Sequence, residues 1–194
     1  MPTANLNFNS SISGSVSTPA NALGAIDGTF TTDTGTTNWT ARWRLDAVAG
    51  LFSAYGTQTL TLRVRKSSGT GNPTITGVNL YQGGALIKSI LGSSFSVTST
   101  TGEDVVCTFD GADINGLETV DIEVVTSGAG GGPSARSSVQ IDGATWAATY
   151  EDMPTVFKAW NGSSWVPGSL RKWDGARWAA AVVQKWNGTG WVRT

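Results

Sequence analysis

The residues of this chain that could do chemistry are few, and their types narrow the field at once. There are no histidines and a single cysteine, Cys107, among 194 residues. Without His, the most common general base, the Ser-His-Asp and Cys-His nucleophile systems and most zinc sites are out of reach. Cys107 shares one side of "DVVCTFD" with Val105 and Phe109, which reads as a small core residue of a strand; alone, it can form no disulfide within the chain. Hard cations have more to work with. "FDGADINGLE" holds Asp110, Asp113 and Asn115 within six residues, oxygen donors of the kind calcium prefers. Their spacing is not that of an EF-hand, and Asp and Asn also make polar turns by bonding their own backbone. Paired carboxylates are a catalytic device open to a chain without His. The acids here fall mostly in turns or on solvent faces, as Asp121 and Glu123 do in "ETVDIEVVT", so the expectation is a protein that is not an enzyme and uses no cofactor.

Aromatic residues are the second resource. In "NWTARWRL" a period of two puts Trp39, Ala41, Trp43 and Leu45 on one side and Arg42 and Arg44 on the other. Two readings follow. Either the indoles fill a core beneath outward arginines, or an exposed Trp39 or Trp43 stacks on a sugar ring, with Arg42, Arg44 and Tyr81 as polar partners. A larger aromatic set closes the chain. "FKAWNGSSWVPGS", "LRKWDGARWAAAV" and "VQKWNGTGWVRT" align without a gap at a spacing of 13 residues. Trp160, Trp173 and Trp186 form one column and Trp165, Trp178 and Trp191 another, with Asn161-Gly162, Asp174-Gly175 or Asn187-Gly188 between them. This is a structural repeat.

The elements that must position these residues are strands. No segment sustains a 3.6-residue apolar period, whereas "QTLTLRVRK" and "ETVDIEVVT" alternate cleanly. "ITGVNLYQGGALIKSIL" predicts a hairpin turning at Gly83-Gly84, and further strands are expected near 6–16, 38–47, 95–98, 105–109 and 137–150. Short strands separated by Gly, Ser and Thr turns predict an all-β, antiparallel β-sandwich, specifically a jelly roll, over 1–150. Residues 151–156 read as a linker and 157–194 as three hairpins. Each hairpin is expected to turn on its Asn-Gly or Asp-Gly pair as a two-residue type I′ turn. That register sets Trp160 opposite Ser163 and Lys158 opposite Trp165, so that Lys158, and Arg171 in the second copy, would meet an indole. Gln184 takes that place in the third copy. Joined by short linkers, the three would build a six-stranded meander or a small solenoid, or assemble between chains. Six Trp in so short a segment must cover one another, a partner chain or a ligand.

The tail units "KAWNGSSWV" and "QKWNGTGWV" resemble the tandem W-N-G-x-x-W-V units at the ends of tail and fibre proteins of phages infecting Actinobacteria, the minor tail proteins. The resemblance covers 157–192; the second copy departs from it with Asp174 for Asn and Ala179 for Val. It implies a virion protein, with the repeats as an oligomerising or docking element. The front segment "ANALGAIDGTFTTDTGTTNW" is similar to the A-x-x-A-x-D-G…W opening of discoidin-like, galactose-binding-type jelly rolls, on Ala22, Ala25, Asp27, Gly28 and Trp39. That likeness implies the fold and a structural, sometimes cation-binding, place for Asp27.

Composition sets the outer bounds. A net charge of −1 with 14% charged residues argues against a nucleic-acid partner, which needs a clustered basic surface. No apolar run is long enough to span a membrane, and "MPTANLNFNSS" has neither the basic nor the apolar part of a secretory signal. The expected protein is therefore a structural component of a siphophage tail or tail tip, located in the virion. Its expected partners are itself, as a homotrimer, other virion proteins and a host-surface glycan. A capsid decoration protein and a carbohydrate-binding module outside a virion are the alternatives, and an enzyme of cell-wall breakdown comes third.

Overall fold

The computed structural model describes residues 3–32, 38–46, 52–54, 56–114, 120–130 and 136–152. In the tail it describes 158–160, 163–167, 171–173, 175–180, 184–186, 189 and 191–193. The chain divides into two compact units, Met1–Glu151 and Asp152–Thr194.

Among the described residues the front unit is built from ten strands: β1 (Thr3–Gly14), β2 (Thr40–Leu45), β3 (Phe52–Ala54), β4 (Thr57–Lys66), β5 (Thr74–Gln82), β6 (Ala85–Ser89), β7 (Phe95–Ser96), β8 (Glu103–Asp110), β9 (Val120–Ser127) and β10 (Val139–Asp152). Two short 3-10 helices, Pro19–Ala22 and Gly111–Asp113, interrupt them. The strands follow the order β6-β5-β9-β2-β1-β10-β4-β8, with β7 on β5, through antiparallel ladders, and β3 pairs with β10. The curl is made by β1. Its first half, Thr3–Asn7, pairs with β10, and its second half, Phe8–Gly14, pairs with β2 through two register shifts. Such irregularities bend a strand and let it pass from one layer to the other. The expected all-β sandwich is the observed architecture. The Gly83-Gly84 turn between β5 and β6 is also as read, with φ of 58° and 86°, the double positive φ that a primed turn requires and glycine tolerates.

Alternation then decides what each face becomes. Inward, β4 contributes Leu60, Leu62 and Val64, β8 Val105, Cys107 and Phe109, and β10 Ala144, Trp146 and Ala148. The other layer answers with Ala41, Trp43 and Leu45, Val120, Ile122 and Val124, and Val78 and Leu80. Outward, the β1-β10-β4-β8 layer carries two rows of short, uncharged residues, Asn7–Thr145–Thr61–Val106 and Asn5–Ala147–Thr59–Thr108, and beside them the polar pairs Arg63–Asp104 and Arg65–Gln140. The outer face of β2, β9 and β5 carries rows of long polar ones, Arg44–Asp121–Tyr81 and Arg42–Glu123–Asn79.

Among the described residues the tail unit has six strands: β11 (Lys158–Trp160), β12 (Trp165–Pro167), β13 (Arg171–Trp173), β14 (Trp178–Ala180), β15 (Gln184–Trp186) and β16 (Trp191–Arg193). Each consecutive pair closes a separate two-stranded sheet, so among the described residues the six strands do not join into one meander. The register also corrects the expected turn. Trp160 pairs with Trp165, Trp173 with Trp178 and Trp186 with Trp191, which leaves four residues in each connection rather than two. Lys158 accordingly lies opposite Pro167 and Arg171 opposite Ala180, so no cation opposes an indole position across the ladder. A register that sets two aromatic positions directly opposite is the one cross-strand pairing favours. Gly175 keeps a positive φ of 100°; Asn161, Gly162, Asp174, Asn187 and Gly188 lie outside the described residues.

Candidate functional site

The structure separates the five residues read as sugar contacts. Trp39 is 3% and Trp43 0% exposed, which rules out stacking on a sugar and corrects that reading of them. Trp43 stacks on Phe8 at 5.1 Å and receives the edge of Trp39 at 6.2 Å. Their indole N–H groups find acceptors inside the fold, as buried Trp requires: Trp39 Nε1 donates to the Val139 carbonyl at 2.9 Å and Trp43 Nε1 to the Pro19 carbonyl at 3.1 Å. These indoles belong to the core that holds the sheet.

Arg42, Arg44 and Tyr81, by contrast, are brought together on the outer face of β2, β9 and β5. The arginines are the odd members of the strand that buries Trp43, so burying the indole forces them outward. Arg44 donates Nε to Asp121 Oδ1 at 2.8 Å, and Asp121 is 1% exposed. Hydrogen bonding and charge attraction to that carboxylate raise the Arg44 pKa. Arg42 reaches across β9 and lays its guanidinium on the Tyr81 ring, 4.1 Å from the centroid, a cation–π contact. Tyr81 Oη in turn donates to Glu123 Oε1 at 3.3 Å, and Asn79 Nδ2 donates to the same oxygen at 3.0 Å. Burial, the Glu123 charge and the hydrogen bond to it raise the Tyr81 pKa, against Arg42, which lowers it; the phenol therefore stays a donor at neutral pH. Asn79, Asp121 and Glu123 were not picked out from the sequence as part of this group. The available signal was alternation, which puts Asp121 and Glu123 on one side of their strand; which strands flank it is a matter of topology.

The cation candidates have other work. Asp110 Oδ1 accepts from Ala112 N at 3.0 Å and Asp113 Oδ2 from Asp110 N at 3.3 Å, a reciprocal capping box on the second 3-10 helix. Asp113 also pairs with Lys88 at 2.8 Å, and the bond to that ammonium lowers its pKa. Asn115 lies outside the described residues. Asp27 closes a turn by accepting from Thr29 N at 2.8 Å, which lowers its pKa. Its loop is clasped by a residue not singled out from the sequence, Asp142 of β10, whose buried carboxylate accepts from Asp27 N at 3.2 Å and Gly28 N at 3.0 Å. Among the described residues no group of three or more His, Cys, Asp or Glu is gathered. Cys107 is buried, and desolvation pushes its thiol up to about 11, which keeps it protonated and unreactive.

No protein-family model and no curated protein matches the chain. Several solved structures are similar to it. One is a family 35 carbohydrate-binding module from Clostridium thermocellum, 12% identical, with TM-score 0.43, covering 74% of this chain and 97% of the other. Another is the CBM36-1 domain of a multidomain xylanase from the hindgut metagenome of Trinervitermes trinervoides, 15% identical, TM-score 0.40, covering 76% and 98%. A third is a Xyl-CBM35 in complex with a glucuronic acid-containing disaccharide, 17% identical, TM-score 0.40, covering 75% and 91%. Likeness this loose decides nothing about function, which is read below from this chain's own residues.

Proposed function

We propose that the chain is a non-enzymatic structural protein of a siphophage tail or tail tip. In this reading the front unit attaches to a host-surface glycan through the outer face of β2, β9 and β5, and the Trp hairpins serve as the oligomerising or docking element. The observation that carries the attachment half is the fastened array of Arg42, Tyr81, Asn79 and Glu123. Long polar side chains are held on rigid strands by one another, which limits the entropy a ligand must remove on binding. Support for the virion half comes from the tail. One hairpin recurs three times in the same register, Trp opposite Trp, in the units that resemble those of phage minor tail proteins.

Reconstruction of a particle carrying this chain tests the placement. Density for the front unit at the tail or its tip is the expected result. Density on the capsid surface would make it a decoration protein instead. Absence from the particle, with binding of saccharide retained, would leave a carbohydrate-binding module that works outside a virion. Deletion of residues 156–194 tests the hairpins: the expected trimer should fall to a monomer by light scattering, and an already monomeric full-length protein would overturn that role.

A further inference from the structure

On the outer face of β2, β9 and β5, Arg44 is neutralised by Asp121, but Arg42 has no carboxylate partner among the described residues. Its Nε is buried with no hydrogen bond. The two Nη nitrogens make no hydrogen bond among the described residues and are not shut off from solvent. Directly opposite Arg42 in the ladder is Glu123. Its Oε1 accepts from both Asn79 and Tyr81, whereas Oε2 accepts nothing among the described residues. Side by side on neighbouring strands there is thus a half-buried donor with free N–H groups and a half-buried acceptor with a free oxygen. Neither is satisfied by the other, because Arg42 is turned onto the Tyr81 ring.

We propose that the Arg42 guanidinium and the Glu123 carboxylate together hold a vicinal diol of an uncharged saccharide, which deepens the attachment reading above and rests on it. A hydroxyl is donor and acceptor at once. One hydroxyl of the diol accepts from an Arg42 Nη–H, and its neighbour donates to Glu123 Oε2. Both are bonds to an ionised group, roughly twice as strong as neutral ones. The charges on the face select the ligand class. Two cations, Arg42 and Arg44, stand against two carboxylates, Asp121 and Glu123, so the face offers no net attraction to an ion. An anionic sugar drawn to Arg42 would meet Glu123 beside it, and a cation drawn to Glu123 would meet Arg42. A neutral polyol meets neither obstacle. Tyr81 and Asn79 act as positioning residues: one carries Arg42 on its ring, and both fix Glu123.

The test uses the full-length protein with mannan, galactan and dextran as neutral polymers and polygalacturonate as the acidic one. Each neutral polymer is used before and after periodate oxidation, which cleaves vicinal diols. Wild type is expected to bind at least one neutral polymer and to lose it on oxidation. Glu123→Gln and Arg42→Ala should each weaken that binding at least tenfold, about what a hydrogen bond to a charged group is worth. Glu123→Gln keeps an amide oxygen for Asn79 and Tyr81, so an unchanged thermal melt separates lost binding from lost folding. Thr61→Val, on the opposite layer, should leave binding unchanged. Neutral-polymer binding that survives oxidation or either variant overturns the diol site and leaves the attachment role standing. So does binding of polygalacturonate alone. Binding of none of the four polymers overturns both.

Discussion

The two outer faces of the sandwich follow the same alternation and reach opposite ends. On β1, β10, β4 and β8 two outward cross-strand rows are Thr, Asn, Ala and Val, while Arg63 and Arg65 farther along β4 hydrogen-bond their ladder neighbours Asp104 and Gln140. Short side chains fasten little there: Thr145 bonds Asn7 at 3.0 Å, while Thr59, Thr61 and Thr108 make no side-chain bond among the described residues. On β2, β9 and β5 the outward residues are long enough to reach over a strand, and Arg42, Tyr81, Glu123 and Asn79 hold one another. Linkage of side chains from three strands, rather than exposure or charge alone, distinguishes the second face. The first face is largely a solvated wall; the second is a linked array of polar side chains.

The largest effect belongs to the residue beneath the second face. Trp43→Ala is expected to destabilise the protein by about 3–5 kcal/mol, the usual range for deleting a buried aromatic, whereas Arg42→Ala, next to it but outward, should cost under about 1 kcal/mol. Denaturant unfolding of the two variants checks this, and equal costs would deny the inside-outside division of β2. Next comes a contrast between two ion pairs. Arg44→Ala strands the Asp121 carboxylate, whose side chain is only 2% exposed. It should cost about 2–3 kcal/mol, below the range for fully buried pairs because Arg44 itself is partly open to water. Arg63→Ala breaks an exposed pair with Asp104 on the other layer and should cost less than about 1 kcal/mol. Similar losses from both would show that the charged face is no more tightly built than the wall.

Most of the fold was legible in the sequence, because alternation reports burial directly. The apolar sides of β4, β8 and β9 are the buried ones, and Gly83-Gly84 marked its hairpin correctly. The candidate site was legible only in halves. Arg42, Arg44 and Tyr81 were readable as polar partners, but their joining through Glu123 depends on β9 lying between β2 and β5, a long-range order that no local pattern encodes. Trp39 and Trp43 show the reverse case. Their shared side was clear, yet which side faced the core required the opposing layer. In the tail, Asn-Gly suggested a two-residue turn and the ladder closes over four, since the signal that wins is the pairing of two Trp positions rather than the dipeptide between them.

Smaller effects probe that tail and the wall. Gly175→Val places a β-branched residue at a φ of 100° and should destabilise its hairpin by about 1–3 kcal/mol, with Ala176→Ser nearly silent; hydrogen exchange of the β13-β14 amides reads the difference. Equal effects would remove the turn glycine from the account. Thr59→Val and Thr61→Val lie on an open face and should stay within about 0.5 kcal/mol of wild type, as thermal melts will show.

The most direct measurement compares the two faces as binding surfaces. Full-length wild type, the double variant Arg42→Ala with Glu123→Gln, and the double variant Thr59→Val with Thr61→Val are each titrated onto purified envelope polysaccharide from the host of a phage carrying the chain. All three are first shown folded by circular dichroism. Attachment through the outer face of β2, β9 and β5 predicts binding by wild type and by the Thr variant, with a loss of tenfold or more in the Arg42–Glu123 variant. Unchanged binding by the Arg42–Glu123 variant, or a loss confined to the Thr variant, would contradict it.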